Sequence, residues 1–413
     1  MTSVLRRTFV GSCAAGVAAA VLPGKGVLFT MTQQPHVIVV GAGAFGGWTA
    51  LELLRRGARV TLLDAWGPGN SRASSGGETR VIRGTYGPRP IYTQLTARAL
   101  ALWKEHERRW RRSLYYPIGV LWLVGADDQY ERAALPVLRG AGLAFEELAV
   151  AEVARRYPQI HLEGVRWAIH ERDAGYLLAR LACEAVLEAF LAEGGQYRQL
   201  AARPGSVAGG KLRAVTLSDG STRSADTYVF ACGPWLGRLF PDVIGQRVTP
   251  TRQEVFFFGT PAGDERFGED VLPVWADHGG GGGGGARFMY GIPGNRWRGF
   301  KVADDSRGPV FDPTAGDRVA TPEGLAVVRA YLAFRFPALK DAPLLEARVC
   351  QYEQSPDEHF IVDRHPSADN VWLVGGGSGH GFKHGPAVGE LVAGAVLDRA
   401  SPDPLFRLSR FAK

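Results

Sequence analysis

Apolar positions recur along the chain with two periods, and the switches between them set out the elements. Val37–Val40 is apolar and β-branched throughout, the pattern of a strand buried on both faces. Trp48–Arg56 changes to helical spacing, with Leu51 and Leu54 among its apolar positions, and Gly57 stops it. Arg59–Leu63 is a second strand and ends at Asp64. Residues 67–90 are rich in small and polar side chains and read as a loop. Helical spacing returns over Pro90–Trp110, Asp128–Gly140, Ala149–Tyr157, Ala179–Glu193, Glu323–Phe336 and Pro386–Leu397. Gly119–Val124, Tyr228–Cys232, Arg252–Gly259 and Asn370–Val374 are strand-like. Lys211–Leu217 and Thr222–Tyr228 predict a hairpin around Asp219–Gly220. Val271–Ala276 and Arg287–Gly291 predict another, with Gly279–Gly285 between its arms. That glycine run is either a mobile lid or, more simply, a hairpin loop lengthened by insertion.

The order strand, helix, strand over residues 36–64 is a βαβ unit, and Gly41, Gly43 and Gly46 fit G-x-G-x-x-G at its first turn. Gly41 makes the tight turn, Gly43 lets the backbone approach a pyrophosphate, and Gly46 lets the helix pack on the strand. Asp64 stands where an acid accepts hydrogen bonds from ribose hydroxyls. The unit predicts dinucleotide binding without separating FAD from NAD.

The chain has 413 residues, more than one core usually fills, so two domains are expected. The fold class is α/β, or α+β counted by domain: a Rossmann-like nucleotide domain and a second, mostly antiparallel β domain. The first is discontinuous, from residues 34–115, 170–245 and 355–400; the second takes 116–169 and 246–354, and 401–413 is a tail.

Charge changes this picture little. The net charge is +7, and Arg6, Arg7 and Lys25 supply three of those charges. Arg108, Arg109, Arg111 and Arg112 cluster, but without interleaved aromatics they read as a solvated helix end, so no nucleic-acid partner is expected. Four cysteines are too few for a disulfide framework, and Cys183, Cys232 and Cys350 lack metal-ligand spacing, so no metal is expected. Residues 1–33 read as a leader. Arg6–Arg7 precede an apolar stretch from Phe9 to Leu22, shorter than the ~20 residues a membrane span needs. This is the pattern of a twin-arginine export signal, which would place the protein outside the cytoplasm with no stable span in the mature chain. A start at Met31 would instead give a cytoplasmic protein.

Four further blocks accompany the nucleotide motif: GETRVIRGTYG at 77–87, RFMYGIPGNRWRGFKVADD at 287–305, CQYEQSPDEHFIVDRHP at 350–366 and NVWLVGGGSGHGFKHGPAVGE at 370–390. Together they resemble the monomeric sarcosine oxidase family over nearly all of residues 36–400. The resemblance implies FAD as cofactor, joined covalently to Cys350 by a thioether. It implies that Lys301 places a charge near flavin N5, where O2 is reduced, and that Arg83 and Lys383 hold the substrate carboxylate. Thr79 and Arg80 would lie beside the flavin, and Arg80 would favour its anionic reduced form. Gly379, His380 and Gly381 would form the turn at its pyrimidine edge, with His380 structural rather than a general base. Tyr290 and Tyr352 would line the substrate pocket, unless they are ordinary core aromatics.

Gly76 and Asp305 stand where the family often has histidines, so any acid–base role of those histidines is missing and the substrate pocket differs. The implied activity is oxidation of a secondary amine or N-methyl amino acid to an imine, hydrolysed afterwards, with O2 reduced to H2O2. An FAD-dependent dehydrogenase passing electrons to a quinone or carrier is the alternative, and a flavin-binding protein without turnover a third.

Overall fold

A computed structural model describes residues 34–278, 287–295 and 298–412. The leader and Gly279–Gly285 lie outside the described residues.

The nucleotide unit forms as the pattern predicts. Strand His36–Val40 pairs in parallel with Arg59–Leu63 on one side and Thr227–Phe230 on the other. The six-stranded sheet continues through Ala368–Gly375 and Ile361–His365 at one end and Gln196–Arg198 at the other. Alternate residues enter separate cores: Val37, Val39, Val60 and Leu62 pack on one face, and Ile38, Val40 and Leu63 on the other. The helix starts at Ala44, earlier than its apolar spacing suggests, because Gly43 is its N-cap and the motif runs into the first turn. The last helix, Gly385–Leu397, crosses that helix closely. A Cβ on Gly389 would lie 2.9 Å from the Trp48 backbone, so glycine is what permits the approach.

The second sheet has eight strands, in the order 344–354, 249–258, 300–304, 288–292, 274–278, 120–124, 167–171 and 145–149. All its pairs are antiparallel except Val274–His278 with Val120–Val124. Leu121, Leu123, Phe256, Phe258 and Trp275 face one core, and Val120, Trp122, Val124, Val274 and Ala276 the other.

Two of the predicted segments differ from the sequence reading. Residues 67–90 are not all loop, since Thr79–Ile82 pairs antiparallel with Gly175–Leu178. Its β-branched Thr79, Val81 and Ile82 suit that ladder, but the partner lies far away in sequence. The hairpin around Asp219–Gly220 is also shorter, with Val215–Leu217 against Thr222–Arg223. Lys211–Leu212 turns to Val207–Ala208 instead, and Thr227–Phe230 leaves to join the parallel sheet. Tyr228, Val229 and Phe230 are fully buried, as a central parallel strand requires.

Candidate active site

The carboxyl ends of the parallel strands open into a cleft of about 650 Å³, lined by Gly41, Gly43, Asp64, Ser74, Arg80, Tyr352, Glu353 and Gly379 among others. This is where an open α/β sheet binds ligands. Glycine is obligatory in its floor. Gly41 has φ +108°, and a Cβ there would lie 2.3 Å from the Ala231 carbonyl oxygen. A Cβ on Gly46 would lie 1.9 Å from the Gly41 carbonyl oxygen, so that glycine sets the helix against the strand.

Asp64 closes one end. Its Oδ2 accepts from the Ala42 N–H at 2.7 Å, and its Oδ1 from Trp66 and Gly67, each at 2.8 Å. Burial raises its carboxyl pKa and those donors oppose the rise. A carboxylate has about four acceptor sites, so it can still receive a ribose hydroxyl. Asp64→Ala would orphan these donors. It is expected to cost about 2 kcal/mol, with lower flavin occupancy, read by thermal unfolding and by the ratio of visible to ultraviolet absorbance. Unchanged stability and occupancy would remove Asp64 from this role.

A second cavity of about 330 Å³ shares Ala73, Arg80 and Tyr352 with the first, and is lined as well by Tyr290, Lys301 and Cys350. Arg80 joins them. Its guanidinium donates to the Thr79 carbonyl at 2.9 Å, the Ser74 carbonyl at 2.7 Å and the Cys350 Sγ at 3.4 Å. Cys183, Cys232 and Cys350 are all free thiols. Lys301, 3% exposed, donates from Nζ to the Thr79 carbonyl at 3.1 Å and stands 5.5 Å from the Tyr290 ring centroid. Burial, then the charge of Arg80, pulls the Lys301 ammonium down to about 7.

Arg83 and Lys383 converge nearby on Tyr86. The guanidinium carbon of Arg83 lies 4.3 Å from the Tyr86 ring centroid and 5.1 Å from that of Trp122. Lys383 Nζ donates to the Tyr86 hydroxyl at 2.8 Å and the His380 carbonyl at 2.7 Å. Burial and then the Arg83 charge hold the Lys383 ammonium well below its ordinary value. His380 sits between Tyr86, 3.3 Å from its Nδ1, and the Glu358 carbonyl, 3.0 Å from its Nε2, as a positioning group would. Gly379 has φ +78°, and a Cβ there would meet the Tyr352 ring at 2.6 Å. A Cβ on Gly381 would meet the Phe45 ring at 2.9 Å. The Tyr352 hydroxyl donates to Asp305 Oδ1 at 2.5 Å.

The structure therefore gathers Thr79, Arg80, Lys301, Cys350, Tyr290 and Tyr352 at one cavity and its rim, and Arg83, Lys383 and His380 around Tyr86. Sequence reasoning missed Tyr86, although it lies in the block GETRVIRGTYG at 77–87. It also missed Glu171, which accepts from the Gly84 N–H at 2.6 Å, the Thr85 N–H at 3.1 Å and Trp122 Nε1 at 2.9 Å, and so positions the Arg83 loop. No local pattern marks Glu171. Position 305 lacks the histidine of the resemblance, yet it carries a titratable carboxyl within the cluster. The arginine cluster at the end of helix Pro90–Trp110 is partly paired, Arg109 with Glu193 at 3.1 Å and Arg112 with Glu188 at 2.5 Å.

The residues fit FAD by a test of their own. Ser74 Oγ and Glu353 Oε2 line the cleft, and both are buried without a hydrogen-bond partner among the described residues. Orphaned buried polar atoms are costly, and the polyol and phosphates of a flavin dinucleotide offer the partners they lack.

The sequence profile of a family described as FAD dependent oxidoreductase matches residues 36–395. The chain is 31% identical over 385 residues to a monomeric sarcosine oxidase of Streptomyces avermitilis, covering 91% of this chain and 97% of that protein. It is 29% identical over 391 residues to an N-methyl-L-tryptophan oxidase of Salmonella agona, covering 91% and 99%. In fold it resembles an L-proline dehydrogenase from P. horikoshii, with TM-score 0.78, 20% identity, and 92% and 98% of the two chains covered. Amadoriase I from Aspergillus fumigatus is also similar, with TM-score 0.73, 21% identity, and coverage of 91% and 89%.

Proposed function

The chain belongs to the FAD-dependent oxidoreductase family, on its monomeric sarcosine oxidase branch, and from that premise we propose that it oxidises a secondary amine or N-methyl amino acid to an imine with O2 as acceptor. Water then hydrolyses the imine, and H2O2 is the second product. One observation carries the substrate class. Two cations, Arg83 and Lys383, come from opposite ends of the sequence to one buried tyrosine beside the cavity of Lys301 and Cys350.

FAD, when bound, supplies the two-electron acceptor. Gly41, Gly43 and Asp64 would hold its nucleotide end, and Arg80, Cys350 and Tyr352 would meet the other. Arg83 offers a planar fork and Lys383 a point charge, together suited to one carboxylate in a dry pocket. Clamping the carboxylate fixes the direction in which the amine points. Tyr290 and Tyr352 shape the pocket wall and exclude water. Lys301 holds its charge at the site of oxygen reduction.

Anaerobic mixing with a panel of N-methyl and cyclic amino acids tests the reading. Bleaching of the flavin band by at least one, with O2 consumption on aeration, supports it. Bleaching without O2 consumption would move the protein to the dehydrogenases, and no bleaching across the panel would make it a flavin-binding protein without turnover.

Cys350 completes the assignment as the covalent anchor. After acid precipitation the flavin should remain in the wild-type pellet and pass to the supernatant in Cys350→Ser. Wild-type flavin found wholly in the supernatant would defeat the thioether. The Arg6–Arg7 pattern supports export of the loaded protein, which N-terminal sequencing of the native protein checks. No helix among the described residues is long and apolar enough to cross a membrane.

A further inference from the structure

Asp305 follows the strand Phe300–Asp304 that carries Lys301, on the side of Arg83 and Lys383. Its backbone N–H donates to the Phe288 carbonyl at 2.8 Å, which fixes the chain there. Tyr352 engages its Oδ1 at 2.5 Å, and no hydrogen bond to Oδ2 is formed among the described residues. The groups that face it come from several elements. Arg83 lies in the early loop, Lys383 in the turn before the last helix, Tyr290 on the adjacent strand, Tyr352 one strand further across the sheet on the other side, and Lys301 and Asp304 on the strand that leads into it. Burial pushes its carboxyl up to about 6, against the pull of the Tyr352 hydrogen bond and the charges of Arg83 and Lys383.

A pocket holding only Arg80, Arg83 and Lys383 would repel the substrate it is meant to take. At neutral pH a free secondary amine is an ammonium, and three cations disfavour its entry. The reactive amine must also be neutral, so its proton needs an acceptor within reach. Glu171 is nearby, but three N–H groups occupy it. Of the two carboxyls that face Arg83 and Lys383, Asp305 is the one with an oxygen left over.

We propose that Asp305 is the cation-recognising and proton-accepting group of the substrate pocket, so that the protein takes its substrate as a zwitterion, carboxylate to Arg83 and Lys383 and ammonium to Asp305. This rests on the amine-oxidation reading above. In the proton step an N–H bond of the ammonium breaks and an O–H bond forms on Asp305. The products are a neutral amine and a neutral carboxyl, and no electrons change hands.

An isosteric pair of ligands tests it on the holoenzyme. Trimethylammonioacetate and 3,3-dimethylbutanoate share a shape and a carboxylate, and differ only in the cationic nitrogen. Neither has an amine lone pair to oxidise, and binding is read from perturbation of the flavin spectrum. Wild type should prefer the cationic ligand about tenfold, Asp305→Asn should bind the two alike, and Asp305→Glu should restore much of the preference. The same preference in Asp305→Asn as in wild type would overturn the proposal. If neither ligand binds flavin-loaded wild type, the carboxylate clamp itself fails, and the underlying reading goes with the proposal. With a turning-over substrate, kcat/KM of wild type should fall as pH drops through about 6, where Asp305 becomes protonated. Asp305→Asn should lose that limb, and a limb left in place would count against the proton transfer.

Discussion

Lys301→Met is expected to slow the reaction of the reduced enzyme with O2 by about 10²- to 10³-fold, while anaerobic reduction by substrate stays within a few-fold. The asymmetry follows from where the side chain is held. Lys301 is buried, its Nζ is directed to the Thr79 carbonyl, and it shares its cavity with Arg80 and Cys350, apart from the Tyr86 cluster that would hold the substrate. Methionine keeps most of the volume, so packing against Tyr290 survives and the charge alone is removed.

The wild-type oxygen reaction should also depend on pH. The Lys301 pKa is depressed, so its charge is present below the folded value and lost as pH rises through it. The protein's own residues put that point at about 7, and an anionic group bound beside it would move it upward. The rate constant should therefore decline above a break at or beyond pH 7, and Lys301→Met should show no such break. Stopped-flow mixing of photoreduced enzyme with O2 at several pH values measures both effects. Equal oxygen rates in wild type and variant would remove Lys301 from the chemistry.

Much of this site was legible in the sequence, for a physical reason that also explains what was not. The βαβ unit is local, since its strand, glycines, helix and acid lie within thirty residues and each imposes its own pattern. Gly41 and Gly46 could be assigned by steric need alone, and the Cβ contacts they would make match that need. Lys301 and Cys350 carry no such pattern. Each lies on a strand whose pattern does not set it apart, and only resemblance of whole blocks marked them. Tyr86 and Glu171 escaped because their role arises from pairing at a distance. Thr79–Ile82 meets Gly175–Leu178 across nearly a hundred residues, and that ladder brings Glu171 under the loop from Gly84 to Tyr86. Asp305 was visible as a departure, but its meaning depended on seeing Arg83, Lys383 and Tyr352 around it.

Arg83→Met and Lys383→Met should each lower kcat/KM for an amino-acid substrate by about 10²- to 10³-fold, mostly through KM, because each leaves a buried carboxylate half-paired. The two losses should not add. Lys383 is held well below its ordinary pKa first by burial and then by the Arg83 charge. Removing Arg83 therefore raises the Lys383 pKa and leaves a more fully charged lysine to meet the carboxylate, which recovers part of the loss. Removing Lys383 gives Arg83 nothing comparable, since a guanidinium is charged throughout the accessible range. The double variant should accordingly fall further below Arg83→Met than Lys383→Met falls below wild type, a coupling that a double-mutant cycle reads directly. An amine substrate without a carboxylate supplies the control. Its kcat/KM should change only a few-fold in either single variant, and losses equal to those of the amino acid would mean that Arg83 and Lys383 support the fold around Tyr86 rather than the substrate.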